Sequence, residues 1–219
     1  MMNKKILQRI EALGGDVSEV GGEDLASDLS SIKFNCVLYP KTSNSPLATY
    51  EDAEPIFGIS EEILKNKALY FKDKQKFFQM LIDKYYTDTI EDFGQSFWEP
   101  EPFTPFKEGS DDYYKWYDEF EENEDVDFSA VTEVTQDNMP ELFHIAYSYG
   151  YPDSYYIALS DPNQQNPTVF GTDHEEFFQE VSIEGTLEDF FDNYMTKEEF
   201  LEIVKAQLKS NFYFEIDKV

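Results

Sequence analysis

Cysteine is nearly absent: Cys36 is the one such residue in 219, so no disulfide can close within the chain and nothing ties it to an oxidising compartment. Its setting, FNCVLY, predicts a small buried hydrophobe in a strand. Long apolar runs are also missing. None approaches the roughly 18 residues that a membrane span needs, and the opening MMNKKILQRIEALGG is charged and amphipathic, without the apolar core or cleavage site of a secretory signal. A cytoplasmic protein is expected. Positive charge is scarce as well, with 17 Lys and Arg against 46 Asp and Glu and a net charge of −29. Such a field repels nucleic acid and anionic membrane, and it draws in basic proteins, accelerating their association by about 10 to 1,000-fold.

Catalytic vocabulary is equally thin. HExxH, the GxSxG nucleophile elbow, the P-loop and the Rossmann glycine pattern do not occur. The two histidines, His144 and His174, lie far apart in the sequence. His144 alternates with apolar residues in FHIAY and reads as a hydrogen-bonded strand histidine. His174 is flanked by Asp173, Glu175 and Glu176, which adjacent backbone positions aim in different directions, so a solvated turn is expected rather than a metal site. Nothing lowers the pKa of Cys36, no EF-hand loop is present, and no carboxylate pair stands out for glycoside chemistry. No enzyme, no cofactor and no required metal are expected.

What is present is a core-forming supply of aromatics, 17% of the chain. Ile6, Leu7, Ile10 and Leu13 have helical spacing that Gly14-Gly15 ends. Phe34–Tyr39 reads as a strand closed by Pro40. Ser60 can cap a short helix, and a longer one from Asp73 carries Phe77, Phe78, Leu81, Ile82 and Tyr85 on one face. Lysines 65, 67, 72, 74, 76 and 84 gather there, interleaved with Asp73 and Asp83 as on a solvated face. The prolines between Trp98 and Gly109 predict an ordered loop or boundary, and Phe128–Val134 a strand. Thr196 and Glu199 form a capping box for a last helix, after which FYFEI can be an edge strand or a packed tail.

The most structured stretch runs from Glu141 to Tyr194. Leu142–Tyr149, Ser154–Leu159 and Pro167–Phe170 are rich in β-formers, and they are separated by turn residues, Gly150, Pro152 and Asp153, then Asp161, Pro162 and Asn163. A helix follows, started by Thr186, with Leu187, Phe190, Phe191 and Tyr194 on one face. Ile145, Tyr147, Tyr156, Val169, Phe190 and Phe191 are the expected core. The strand ending in an aromatic and glycine, the SYYIALSD strand and turn, the PTVFGTDHE strand and the TLEDFF helix together resemble the SUKH superfamily. That family includes bacterial immunity proteins against polymorphic toxins and fungal cell-wall (glucan) synthesis regulators. The resemblance implies an α+β fold, a mainly antiparallel sheet with packed helices. It places the whole chain in one domain, with 128–194 as the recognisable sheet-plus-helix part and 98–127 as an acidic insertion.

It also implies a binding role: a non-enzymatic protein that holds a cognate toxin, such as a nuclease, inactive. A regulatory scaffold for a signalling or cell-wall synthesis protein is the alternative, and a carboxylate-based hydrolase a distant third. The basic partner expected from the charge is in keeping with the first, since a nuclease must carry a cationic cleft for phosphate. In DDYYKWYDEFEE the aromatics Tyr113, Trp116, Tyr117 and Phe120 share one helical face. Asp111, Asp112, Asp118, Glu119 and Glu122 fall on the other, beside Glu124 and Asp125, and these five are the candidate partner-binding residues.

Overall fold

The structure, a computed structural model, describes residues 2–41, 56, 58–87, 95–122 and 125–216. It begins with α1 (Lys4–Ala12), started by Asn3, whose side chain accepts a hydrogen bond from the Lys5 amide at 3.0 Å. Gly14, at φ +96°, turns the chain out of the helix, a conformation that a side chain would strain. Strand β1 (Gly15–Asp16), helix α2 (Leu25–Ser31) and strand β2 (Lys33–Phe34) follow, the two strands pairing antiparallel. Arg9, the chain's single arginine, spans from α1 to the far end of the sequence, donating to the Tyr194 carbonyl at 2.6 Å and meeting Asp192 and Glu199 at 3.2 and 3.3 Å.

The strand expected over 34–39 shrinks to β2 and two isolated bridges, Leu38 with Ser96 and Pro40 with Tyr194. The reason lies in where its backbone bonds go: Val37 donates to Tyr86 and Leu38 to Ser96, two separate elements, so no ladder can form. Cys36 is accordingly not a strand residue. It is half-buried beside Leu13, and burial pushes its thiol pKa up.

A helical layer comes next: α3 (Ile59–Lys65), α4 (Lys67–Lys72) and α5 (Lys74–Tyr86). Asp73 caps α5 by accepting from the Lys76 amide at 3.0 Å. Ser60 does not cap α3, because Gly58 at φ +69° turns the chain into the helix two residues earlier and leaves Ser60 inside it. Lys84 reaches back to the buried Glu62 at 2.6 Å and joins α5 to α3.

The main sheet is a five-stranded antiparallel meander in sequence order: β3 (Ser96–Phe103), β4 (Leu142–Ser148), β5 (Ser154–Ala158), β6 (Thr168–Thr172) and β7 (Ser182–Thr186). Both expected turns are present, and Asp161 fixes the second by accepting from the amides of Asn163 and Thr168 at 2.7 and 2.8 Å. β3 replaces the expected loop. It is an edge strand with an irregularity in its pairing between Trp98 and Glu101, and those are the two settings in which Pro100 and Pro102 cost a strand little. β7 has no apolar alternation to announce it, and Gly185 within it sits at φ +96°.

Between β3 and β4 lie α6 (Asp111–Lys115), a π-helical turn at Asp118–Glu122 and α7 (Ser129–Thr135). The strand expected over 128–134 is this last helix. Its β-branched residues favour a strand locally, but as a helix the segment buries Val131 and lays Val134 against the same cluster, while Ser129 and Glu133 meet solvent. The continuous helix expected over 111–122 is broken at Trp116, so its aromatics do not share one face: Phe120 is buried, Trp116 and Tyr113 are half-buried, and Tyr114 and Tyr117 are exposed.

After β7, Thr186 and Asp189 form a capping box at the start of α8 (Leu187–Asp192). Thr196 and Glu199 form another before α9 (Lys197–Ile216), with bonds of 2.7 and 3.1 Å. FYFEI continues this helix instead of adding a strand. Helices α1, α2 and α8 cover one face of the sheet, where Ile145, Ile157 and Val169 meet Phe190 and Phe191 of α8. α3, α5 and α9 pack together around Ile63, Phe77, Leu81, Phe200 and Val204. The other sheet face carries Phe103, Leu142, Tyr156 and Phe170, covered by Phe120, Val131 and Phe178. Of the expected core, Tyr156 therefore belongs to this second face, and Tyr147 is only half-buried, stacked on Phe97 at 4.7 Å.

Candidate functional site

The second face is covered at one end only. Where cover stops, a cleft of about 620 Å³ opens over the sheet. Its floor is set by register. Glu101 on β3 pairs with His144 on β4, which pairs with Tyr156 on β5, and paired residues project to the same side of a sheet. The His144 and Tyr156 rings lie 5.1 Å apart. One wall comes from the acidic segment, with Asp112, Lys115, Trp116 and Glu119, and the other from the β6–β7 connection, with His174, Glu175, Phe177 and Gln179. The walls meet where the rings of Trp116 and Phe177 approach to 4.7 Å.

Asp112 is half-buried and tied down, accepting from the amide and hydroxyl of Thr104 at 2.9 and 3.3 Å. Lys115 lays its ammonium 5.0 Å from the centre of the Trp116 ring, the geometry of a cation–π contact. His144 is a strand histidine as expected, but its Nδ1 is buried and has no hydrogen-bond partner. Burial pulls its pKa below the ordinary histidine value, against the opposing pull of the Glu101 carboxylate. The ring is thereby held neutral, the form in which a missing partner costs least. His174 is exposed and bonded through Nδ1 to the Asp153 carboxylate, which holds its pKa above the ordinary value. Beside it, Asp173 accepts from the amides of Glu175 and Glu176 at 2.8 Å each and shapes the turn.

Of the five candidate residues, Asp112 and Glu119 line the cleft, and Asp111 and Asp118 are exposed on the same segment outside its lining. The side chain of Glu122, and Glu124 with it, lie outside the described residues. Sequence reasoning passed over Glu101, His144, Trp116, His174 and Glu175 as parts of one site. No periodicity could have joined them, because strand register and the breaking of the 111–122 helix bring them together. A smaller cavity of about 60 Å³ lies near Tyr155 and Glu184, too small for more than a water or two. Among the described residues, no group of three or more His, Cys, Asp or Glu side chains could hold a metal ion, and no helix is long and apolar enough to cross a membrane. No protein-family model, no curated protein and no solved structure matches the chain.

Proposed function

We propose that this protein is a SUKH-like binding protein of the immunity type, which holds a basic toxin domain inactive by covering its cationic surface. The observation that carries the reading is the cleft's composition. Four carboxylates, Glu101, Asp112, Glu119 and Glu175, face one ammonium, Lys115, and the imidazole of His174, which Asp153 already partners, in a concavity walled by aromatic rings, within a chain of net charge −29. Long-range attraction brings a basic partner in, and the rings supply desolvated contact area of the kind that dominates interface energetics. Holding a toxin in this way requires no chemical step.

The test is co-expression with the toxin domain encoded by a neighbouring reading frame, followed by binding kinetics at two ionic strengths. Protection of the cells is expected, with a stoichiometric complex whose association slows as salt rises. Asp118→Lys combined with Glu119→Lys should slow association about tenfold and flatten its salt dependence, with a smaller change in dissociation. Unchanged association would remove the acidic segment from the interface. A signalling or cell-wall synthesis protein recovered in place of a toxin would turn the reading into that of a regulatory scaffold, and substrate turnover lost on Glu101→Gln would replace it with a carboxylate-based hydrolase.

A further inference from the structure

We infer that the cleft is a receptor for one arginine side chain, presented by the partner on a segment that lies across the sheet face. This deepens the binding role proposed above and rests on it. A guanidinium is planar, stacks on aromatic rings and offers its donors in a fork that matches carboxylates, whereas an ammonium is a compact, strongly hydrated point charge. The cleft holds complements to each of those properties. Trp116 and Phe177 form its aromatic wall, and Glu101 on the floor and Glu119 on the wall supply acceptors from two sides.

The chain itself indicates that a cation is accommodated there, because Lys115 places its ammonium over the Trp116 ring. That lysine is exposed, and its single charge is set against four carboxylates in the cleft lining. A neutral His144 adds no opposing charge to the floor. Beyond the cleft the same face continues into Tyr147, which pairs with the cleft residue Ser154 and stacks on Phe97, and then into the exposed Tyr149, 5.7 Å from Phe97. The residues flanking the arginine would lie on these rings.

The experiment uses N-acetyl-arginine amide and N-acetyl-lysine amide as probes of the full chain, read through the indole N–H signals of its two tryptophans. Trp98 is buried, with its indole N–H donating to the Ile32 carbonyl at 3.2 Å, so it reports whether the sheet is folded. Trp116 reports the cleft. The arginine probe should shift the Trp116 signal saturably and bind about tenfold more tightly than the lysine probe. Glu101→Gln combined with Glu119→Gln should abolish the shift and leave the Trp98 signal in place. Equal affinity for the two probes, no saturable shift, or a shift that survives the double variant would overturn the inference. If the arginine probe fails while the toxin complex forms, the pocket falls and the immunity reading stands. If the probe binds and no toxin is neutralised, the pocket stands and the immunity reading falls.

Discussion

The two faces of the five-stranded sheet are built from different materials. On the face under α1, α2 and α8, branched aliphatic side chains predominate: Ile6, Ile10, Leu29, Ile145, Ile157 and Val169 are all essentially inaccessible. On the other face the contacts are ring against ring, with Phe103, Phe120, Phe128 and Phe178 meeting at 5.0 to 5.8 Å, and the packing ends at a half-open edge of Trp116 and Phe177. Aliphatic cores fill space from all sides and close. Flat rings instead leave faces and edges that either pack on each other or wait for something planar. The first face holds the molecule together, and the second stops short of closing where the acidic cleft lies.

The sharpest way to break this contrast is to truncate one ring on each face. Phe191→Ala, in the closed core, should cost about 3–5 kcal/mol, and Phe177→Ala, at the half-open edge, about 1–2 kcal/mol, both read from urea denaturation. Equal losses would mean that the second face is as structural as the first. A smaller effect tests how α8 is locked onto the closed face. Thr186→Ala removes half of a reciprocal capping box and should cost about 1 kcal/mol, with partner binding unchanged.

The subtlest effect is a titration, since the two histidines of the open face are displaced in opposite directions from the ordinary value of 6.5. His144 resists protonation when folded, so the unfolded chain takes up a proton that the folded one refuses, and stability falls as pH drops below about 6.5. His174 is favoured in its charged form by Asp153, so its contribution is fully present below about 6.5 and is lost as pH rises through its raised pKa. NMR of the two imidazole C–H signals should give one midpoint on each side of 6.5. Asp153→Asn should return the upper midpoint towards the ordinary value and leave the lower one alone. Two coincident midpoints would show that the cleft does not distinguish its histidines.

Most of the closed face, and of the helical layer formed by α3, α5 and α9, is legible in the sequence, because its signals are local. Asp73, Thr186 and Thr196 each mark a helix start within one turn, and the alternation in 142–170 gives three strands and their turns. The open face is mostly not legible. Pro100 and Pro102 argue against a strand unless it is known to be an edge, and that depends on partners far along the chain. Val131, Thr132 and Val134 favour a strand, and only their tertiary setting makes them a helix. The acidic character of 111–122 is plain from the residues, but which acids meet in the cleft depends on a break at Trp116 that helical spacing does not show. His144 and His174 come together through strand pairing, which no single stretch of sequence carries.

The edge strand β3 has one more consequence, for how the chain behaves in company. Many sheets are extended by a visiting strand that borrows the unpaired N–H and C=O groups of the outermost member, whether a ligand peptide or another copy growing into a ribbon. Along β3 the sequence Glu99-Pro100-Glu101-Pro102 has no amide hydrogen at its second and fourth positions, and it sets a carboxylate beside each gap. That border is sealed against strand addition. A visitor arriving from this side must lie on the surface of the sheet, and copies crowded together at high concentration have no seam here along which to join.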